Sequence, residues 1–175
     1  MPRTHSNNTV QFGGNRNAVA VTPYGTGVTS GIVQTTRPND TNAYLAGDVV
    51  GGIITFPNFD VGELLITSVN FYRGSSALAS GEGSYTLHLY SSSPASPLAD
   101  NAAWDLVSGD RAIYLGAIDL GAPSDLGGTV RVDVDGINKQ VTCTGDSLYG
   151  YLVTGAAYTP SAQSITFINI HAVLV

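Results

Sequence analysis

The chain has 175 residues, the length of one domain and enough to bury roughly 70% of its unfolded surface. Charged residues make up 11% and hydrophobic residues 43%, and 21 glycines are present, a balance that suits strands and turns better than helices. Thirteen acidic residues against seven basic ones give a net charge of −6, with Lys139 the sole lysine, so the basic stripe of a nucleic-acid binder is missing.

Residues 1–27 are rich in Asn, Thr, Gly and Arg and hold few apolar anchors. They read either as a loose terminus or as an extended arm that orders against a neighbour. Arg3, His5, Asn7, Gln11 and Arg16 are the candidate partner contacts within them, and Val19, Val21 and Tyr24 offer some apolar grip. The opening MPRTHSNNTVQFGG lacks the apolar stretch of a signal peptide, and no apolar run approaches the ~18 residues of a membrane helix. The expectation is a soluble protein with no membrane or direct nucleic-acid partner.

Residues 28–175 read as a single domain. GIVQTT at 31–36 is a short strand, followed by the turn formers RPNDTN. Val49–Phe56 is a strand whose entry, AGDVVGG, is bent by glycines at 47, 51 and 52 and whose end is set by Pro57. In GELLITSVNFY (62–72) strict alternation puts Leu65, Thr67, Val69 and Phe71 on one face and Leu64, Ile66, Ser68, Asn70 and Tyr72 on the other. Apolar residues on both faces imply a central strand. SYTLHLY (84–90) turns Tyr85, Leu87 and Leu89 one way and Thr86, His88 and Tyr90 the other.

Asp100–Val107 has the pattern of a single helical turn capped by Asp100. AIYLGAIDL (112–120) is a further strand. Val130, Val132 and Val134 point inward from the next one, and Asp135-Gly136 predicts a hairpin turn into Ile137–Thr144. LYGYLVT (148–154) and SITFINIHAVL (164–174) complete eight or nine strands. With no βαβ alternation the fold class is all-β: an antiparallel β-sandwich, jelly-roll-like, with an extended N-terminal arm.

No residue constellation singles out a catalytic role. His5, His88 and His171 are far apart in sequence, and only His88 and His171 could meet, across a sheet, as metal ligands. Asp133-Val-Asp135-Gly136 lacks the later oxygen ligands of a calcium loop. GTGVTSG (25–31) lacks the Lys-Ser/Thr of a phosphate loop. Glu82, in the glycine-rich SGEGS, looks poorly held for acid–base work. Trp104 and the tyrosines at 85, 90, 149 and 151 are candidates either for a sugar platform or for packing. Cys143, the only cysteine, excludes an intrachain disulfide, reads as a small strand residue, and fits assembly in a reducing cytoplasm. Neither a metal nor a cofactor is expected.

Three stretches, in order, carry a resemblance: YLAGDVVGGIITF (44–56), LHLYSSSPASPLADNAAW (87–104), and DSLYGYLVT (146–154) with AYTP (157–160). The set resembles a family of small structural proteins encoded beside the major capsid gene of tailed bacteriophages. The resemblance implies a non-enzymatic virion protein of the capsid decoration, or cement, type, carried on the outer surface of the head and made in the bacterial host cytoplasm. It further implies the major capsid protein as partner and self-association as a homotrimer. The alternative is a receptor- or carbohydrate-binding module of a phage head or tail fibre.

Overall fold

The computed structural model describes residues 25–39, 41–75 and 77–175. They form ten strands: β1 (Gly27–Thr29), β2 (Val33–Thr36), β3 (Val49–Phe56), β4 (Gly62–Arg73), β5 (Tyr85–Tyr90), β6 (Tyr114–Gly121), β7 (Ser124–Asp125), β8 (Val130–Cys143), β9 (Leu148–Thr154) and β10 (Ile165–Leu174). The only helical element among the described residues is a 3₁₀ turn at Ser108–Asp110.

Pairing is antiparallel and nested from the outside of the sequence inward. β1 and β2 pair with β10, β3 with β9, β4 with β8, and β5 with β6. This long hairpin is rolled so that its strands fall into two sheets. One has the order β1-β10-β4-β8-β7, with β2 on the same edge of β10 as β1, and the other has the order β3-β9-β5-β6. From β2 to β5, and again from β6 to β10 apart from the two-residue β7, successive strands alternate between the sheets. That strand order is a jelly roll, the sandwich expected from the sequence.

The core lies between the sheets. Leu64, Ile66 and Phe71 of β4 and Ile168 and Ile170 of β10 meet Leu87 and Leu89 of β5 and Leu152 of β9, all at most 1% exposed. Burying each such side chain contributes about 1.5–3 kcal/mol. Cys143 is fully buried in the same cluster, and burial pushes its thiol pKa up. The break between β1 and β2 is filled by buried Ser30: its amide donates to Ile170 O and its Oγ accepts from Ile170 N, both at 3.0 Å. The hydroxyl thus stands in for a strand carbonyl, which keeps the ladder satisfied where the backbone leaves it.

Three local expectations are corrected. β4 is central, between β10 and β8, but its core face is Leu64, Ile66, Val69 and Phe71 rather than one alternating set. The register with β10 shifts at Thr67, because Ile66 faces Ala172 and Ser68 faces His171. One extra residue flips the alternation. Asp135-Gly136 is not a hairpin turn: β8 runs unbroken from Val130 to Cys143. Gly136 (φ 68°) and Asn138 (φ 52°) instead form a bulge between Asp135, opposite Ser68, and Lys139, opposite Ile66. Left-handed backbone serves a bulge as well as a turn, so the dipeptide could not distinguish them. Residues 100–107 contain no helical turn; Asn101 has φ 62° and the Asp100 carboxylate is engaged elsewhere.

Candidate interaction surfaces

The three sequence stretches converge on one place. The turn before β3 is closed by Asp48, whose Oδ2 accepts the Leu45 amide at 2.6 Å. Trp104 N donates to Gly47 O (2.9 Å), Val49 N to Ala102 O (2.8 Å), and Asn101 N to Val49 O (2.9 Å), which lays DNAAW along AGDVV as an extra strand-like segment. On the other side Gly47 N donates to Thr154 O (2.7 Å), Thr154 N to Asp48 O (3.0 Å), and Tyr44 N to Tyr158 O (2.9 Å).

Asp100 ties the layers together. Its Oδ1 accepts from Gly51 N at 2.7 Å and from Tyr44 Oη at 2.5 Å, and its Oδ2 lies 3.4 Å from Arg37 Nε. Arg37 Nε also donates to Tyr44 Oη at 2.9 Å, and its guanidinium sits 4.8 Å over the Tyr44 ring. Gly51 (φ 80°) and Gly52 (φ 77°) are inserted between Val50, opposite Leu152, and Ile53, opposite Tyr151. This bulge turns the Gly51 amide toward Asp100 instead of the ladder. Burial, reinforced by Asp100, pushes the Tyr44 hydroxyl far above its ordinary pKa, so it stays a donor. Asp48 and Asp100 are therefore structural acceptors.

A second buried pair overturns the reading of Glu82 as poorly held. Its side chain is fully buried and accepts from Arg73 Nη2 (2.6 Å), Ala79 N (2.9 Å) and Tyr85 Oη (2.7 Å). Tyr85 and Tyr158 bring their hydroxyls within 2.8 Å. Burial alone would draw the Arg73 guanidinium down, but Glu82 outweighs it and holds the group above its ordinary value. The small residues of SGEGS let this loop close: a Cβ on Gly81 would lie 2.7 Å from Ala157 O.

The outer faces of the two sheets differ. Over β3-β9-β5-β6 the chain between β5 and β6 folds back as a roof, burying Val49, Tyr90, Tyr151 and Val153 beneath Leu98, Trp104 and Leu106. His88 stacks on Trp104 with ring centroids 3.7 Å apart, and its Nδ1 lies 2.9 Å from Tyr114 Oη. Burial lowers the His88 pKa to about 4, so the ring is neutral at pH 7. The Tyr151 hydroxyl accepts from Leu98 N at 3.0 Å. Of the proposed platform aromatics, Tyr85, Tyr90 and Tyr151 are buried, and Trp104 and Tyr149 are half-buried in this second cluster. They serve packing.

The outer face of the other sheet carries no such roof among the described residues. A side-chain ladder crosses it from β1 to β8. Thr29 Oγ1 donates to Asn169 Oδ1 (2.7 Å), and His171 Nε2 lies 3.0 Å from Asn169 Nδ2 and 3.1 Å from Asn70 Oδ1. Asn70 Nδ2 donates to Asp133 Oδ1 (2.6 Å), and Arg131 Nε donates to Asp133 Oδ2 (2.6 Å). Beside the ladder the half-buried rings of Tyr72 and Phe167 stack with centroids 4.7 Å apart and planes 16° apart. Arg131 holds the Asp133 carboxyl below its ordinary pKa. Sequence reasoning missed this surface, because its members lie on strands β1, β4, β8 and β10 and only the register brings them together.

His88 and His171 lie in different sheets, one under the roof and one on the open ladder, so they do not meet. Among the described residues no group of three His, Cys, Asp or Glu side chains could hold a metal ion. No helix among them is long and apolar enough to cross a membrane. Arg3, His5, Asn7, Gln11 and Arg16 lie outside the described residues.

No protein-family model matches the sequence, and no curated protein matches it either. Among solved structures, a chain from a full particle of Israeli acute paralysis virus heated to 63 degrees is similar over 99% of this chain and 83% of that one, at 14% identity and a TM-score of 0.30. The jelly-roll assignment rests on the strand order described above.

Proposed function

We propose that this is a non-enzymatic bacteriophage capsid decoration protein, which binds the outer surface of the head and stabilises contacts between capsomers. The observation that carries the reading is the convergence of the three ordered stretches into one knot. The residues that resemble the phage family are those that close β3, β9 and the roof around Asp48 and Asp100. In this chain those stretches form one folded unit. The architecture suits such a role without specifying it, because jelly rolls serve viral shells and lectins alike and function must come from the surface they present. A rigid sandwich with its polar side chains already paired loses little freedom on docking, and repetition over a lattice adds avidity to each modest contact.

The partner in this reading is the major capsid protein, with residues 1–27 as the arm that reaches it and a trimer as the assembled form. Purified protein added to expanded, undecorated heads should co-sediment with them to saturation at a fixed stoichiometry. Absence of binding, together with normal heads after gene deletion, overturns the proposal. Deletion of residues 2–20 tests the arm and should weaken docking.

The second reading, a carbohydrate-binding module of a head or tail fibre, is favoured by one specific observation. Tyr72 and Phe167 form a half-buried aromatic pair on an open sheet face beside the amides of Asn70 and Asn169. Retention on a glycan array, abolished by Tyr72→Ala, separates it from the first.

A further inference from the structure

The chain segregates its charge. Residues 1–24 contain Arg3 and Arg16 and no Asp or Glu, whereas residues 25–175 hold five basic and thirteen acidic residues, a net of −8. Of those five, Arg37 and Arg73 are spent in buried ion pairs and Arg131 is paired with Asp133. The open sheet face carries the carboxylates of Glu63, Asp133 and Asp135 on neighbouring strands. Alongside them stand half-buried Leu65 and Val173, opposite each other on β4 and β10, and the Tyr72–Phe167 stack.

The first 24 residues are tethered at a corner of that same face. Gly25 N donates to Leu174 O at 2.9 Å, and Val175 N donates to Glu63 O at 3.1 Å, so the chain enters the sheet beside the Glu63 end of β4. A 24-residue segment can reach about 80 Å when extended, far more than the width of a four-strand face at ~4.8 Å per strand. A tether this short holds the segment at an effective concentration of roughly millimolar over its own sheet, well ahead of any second copy in dilute solution.

We propose that the outer face of β1-β10-β4-β8 is the seat of residues 1–24 of the same chain. Arg3 and Arg16 meet the Glu63 and Asp135 carboxylates, Asp133 being already paired with Arg131, and Val10, Phe12, Val19 and Val21 supply apolar contacts for Leu65, Val173 and the aromatic pair. The other sheet needs no such cover because the β5–β6 connection already roofs it. This proposal concerns the free protein and does not depend on capsid binding, so its failure and the failure of the decoration reading are separate results.

The test uses the full chain with a nitroxide spin label on His5→Cys; native Cys143 is fully buried and stays unlabelled. In isotope-labelled, spin-labelled protein at low salt, the side-chain amide signals of Asn70, Asn169 and Gln140 should lose intensity while signals under the β5–β6 roof do not. The loss should be reversed in Arg3→Glu/Arg16→Glu protein and in 1 M salt, where charges are screened beyond about 3 Å. A mixture of spin-labelled unenriched protein with enriched unlabelled protein should show no loss. Undiminished signals in the first sample, or loss spread evenly over both sheets, overturns the proposal. Equal loss in the mixture also overturns it, and assigns the seat to a second copy's segment.

Discussion

Asp100 Oδ1 accepts the amide of Gly51 at 2.7 Å across 49 positions of sequence, and through that bond the β5–β6 roof is fastened to β3. The same carboxylate faces Arg37, and their side chains are 8% and 2% exposed. Removing one member of a buried pair leaves the other charge without compensation. Asp100→Ala should therefore destabilise the fold by about 3–5 kcal/mol, a large share of a domain's ordinary stability. Urea denaturation should show a lower midpoint. A midpoint within error of the wild type contradicts the assignment of Asp100 as the fastener.

The two other ion pairs offer an internal comparison. Arg73–Glu82 is buried, whereas Arg131 and Asp133 are each 43% exposed in their side chains. Glu82→Ala should cost about 3–5 kcal/mol, while Arg131→Ala should cost no more than about 1 kcal/mol, since solvent screens the exposed pair. Equal losses by the same denaturation assay would show that burial does not set the difference.

Acid sensitivity should trace in part to His88. Its pKa is lowered to about 4 by burial, against an ordinary 6.5. Between those values the unfolded chain binds a proton on this ring that the folded chain does not, so stability rises with pH through the window and is lost as pH falls through it. Allowing for solvent around a half-buried ring, the effect is about 1–2 kcal/mol between pH 7 and 4. His88→Phe should lose less stability than the wild type over that range, measured as the pH dependence of the denaturation midpoint. An identical dependence in the variant rules His88 out as the source.

Gly150 in LYGYLVT is a packing requirement. A Cβ there would lie 2.8 Å from His88 O and 3.2 Å from the Phe56 ring. β9 would have to move off β5, so Gly150→Ala should destabilise by about 1–3 kcal/mol through overpacking. Thermal unfolding should show a lower Tm, whereas Gly109→Ala, which meets nothing within 4 Å, should leave it nearly unchanged.

Much of the fold was legible because it is written locally. Val49–Phe56, a β-branched run, and Leu148–Thr154 are observed with the boundaries read from the sequence, and Val130 and Val132 face the core as their alternation requires. What was not legible depends on partners distant in sequence. The bulge at Thr67 appears only when β10 is laid beside β4, and Asp135-Gly136 has the same backbone chemistry in a bulge as in a turn. Glu82 looked unsupported in SGEGS because its donors, Arg73 and Tyr85, come from the flanking strands. Of the two roles open to the aromatic residues, Trp104 and Tyr151 take packing, under the roof, whereas the half-buried pair on the open face, Tyr72 with Phe167, joins β4 and β10 and is visible only in the register.

The most direct test of the decoration reading is a cryo-electron-microscopy map of the virion at a resolution that traces strands. The expected result is a jelly-roll density on the outside of the head, lying across boundaries between capsomers and absent from heads made without this protein. Density for the chain in a tail fibre, or an unchanged head surface in its absence, would contradict it.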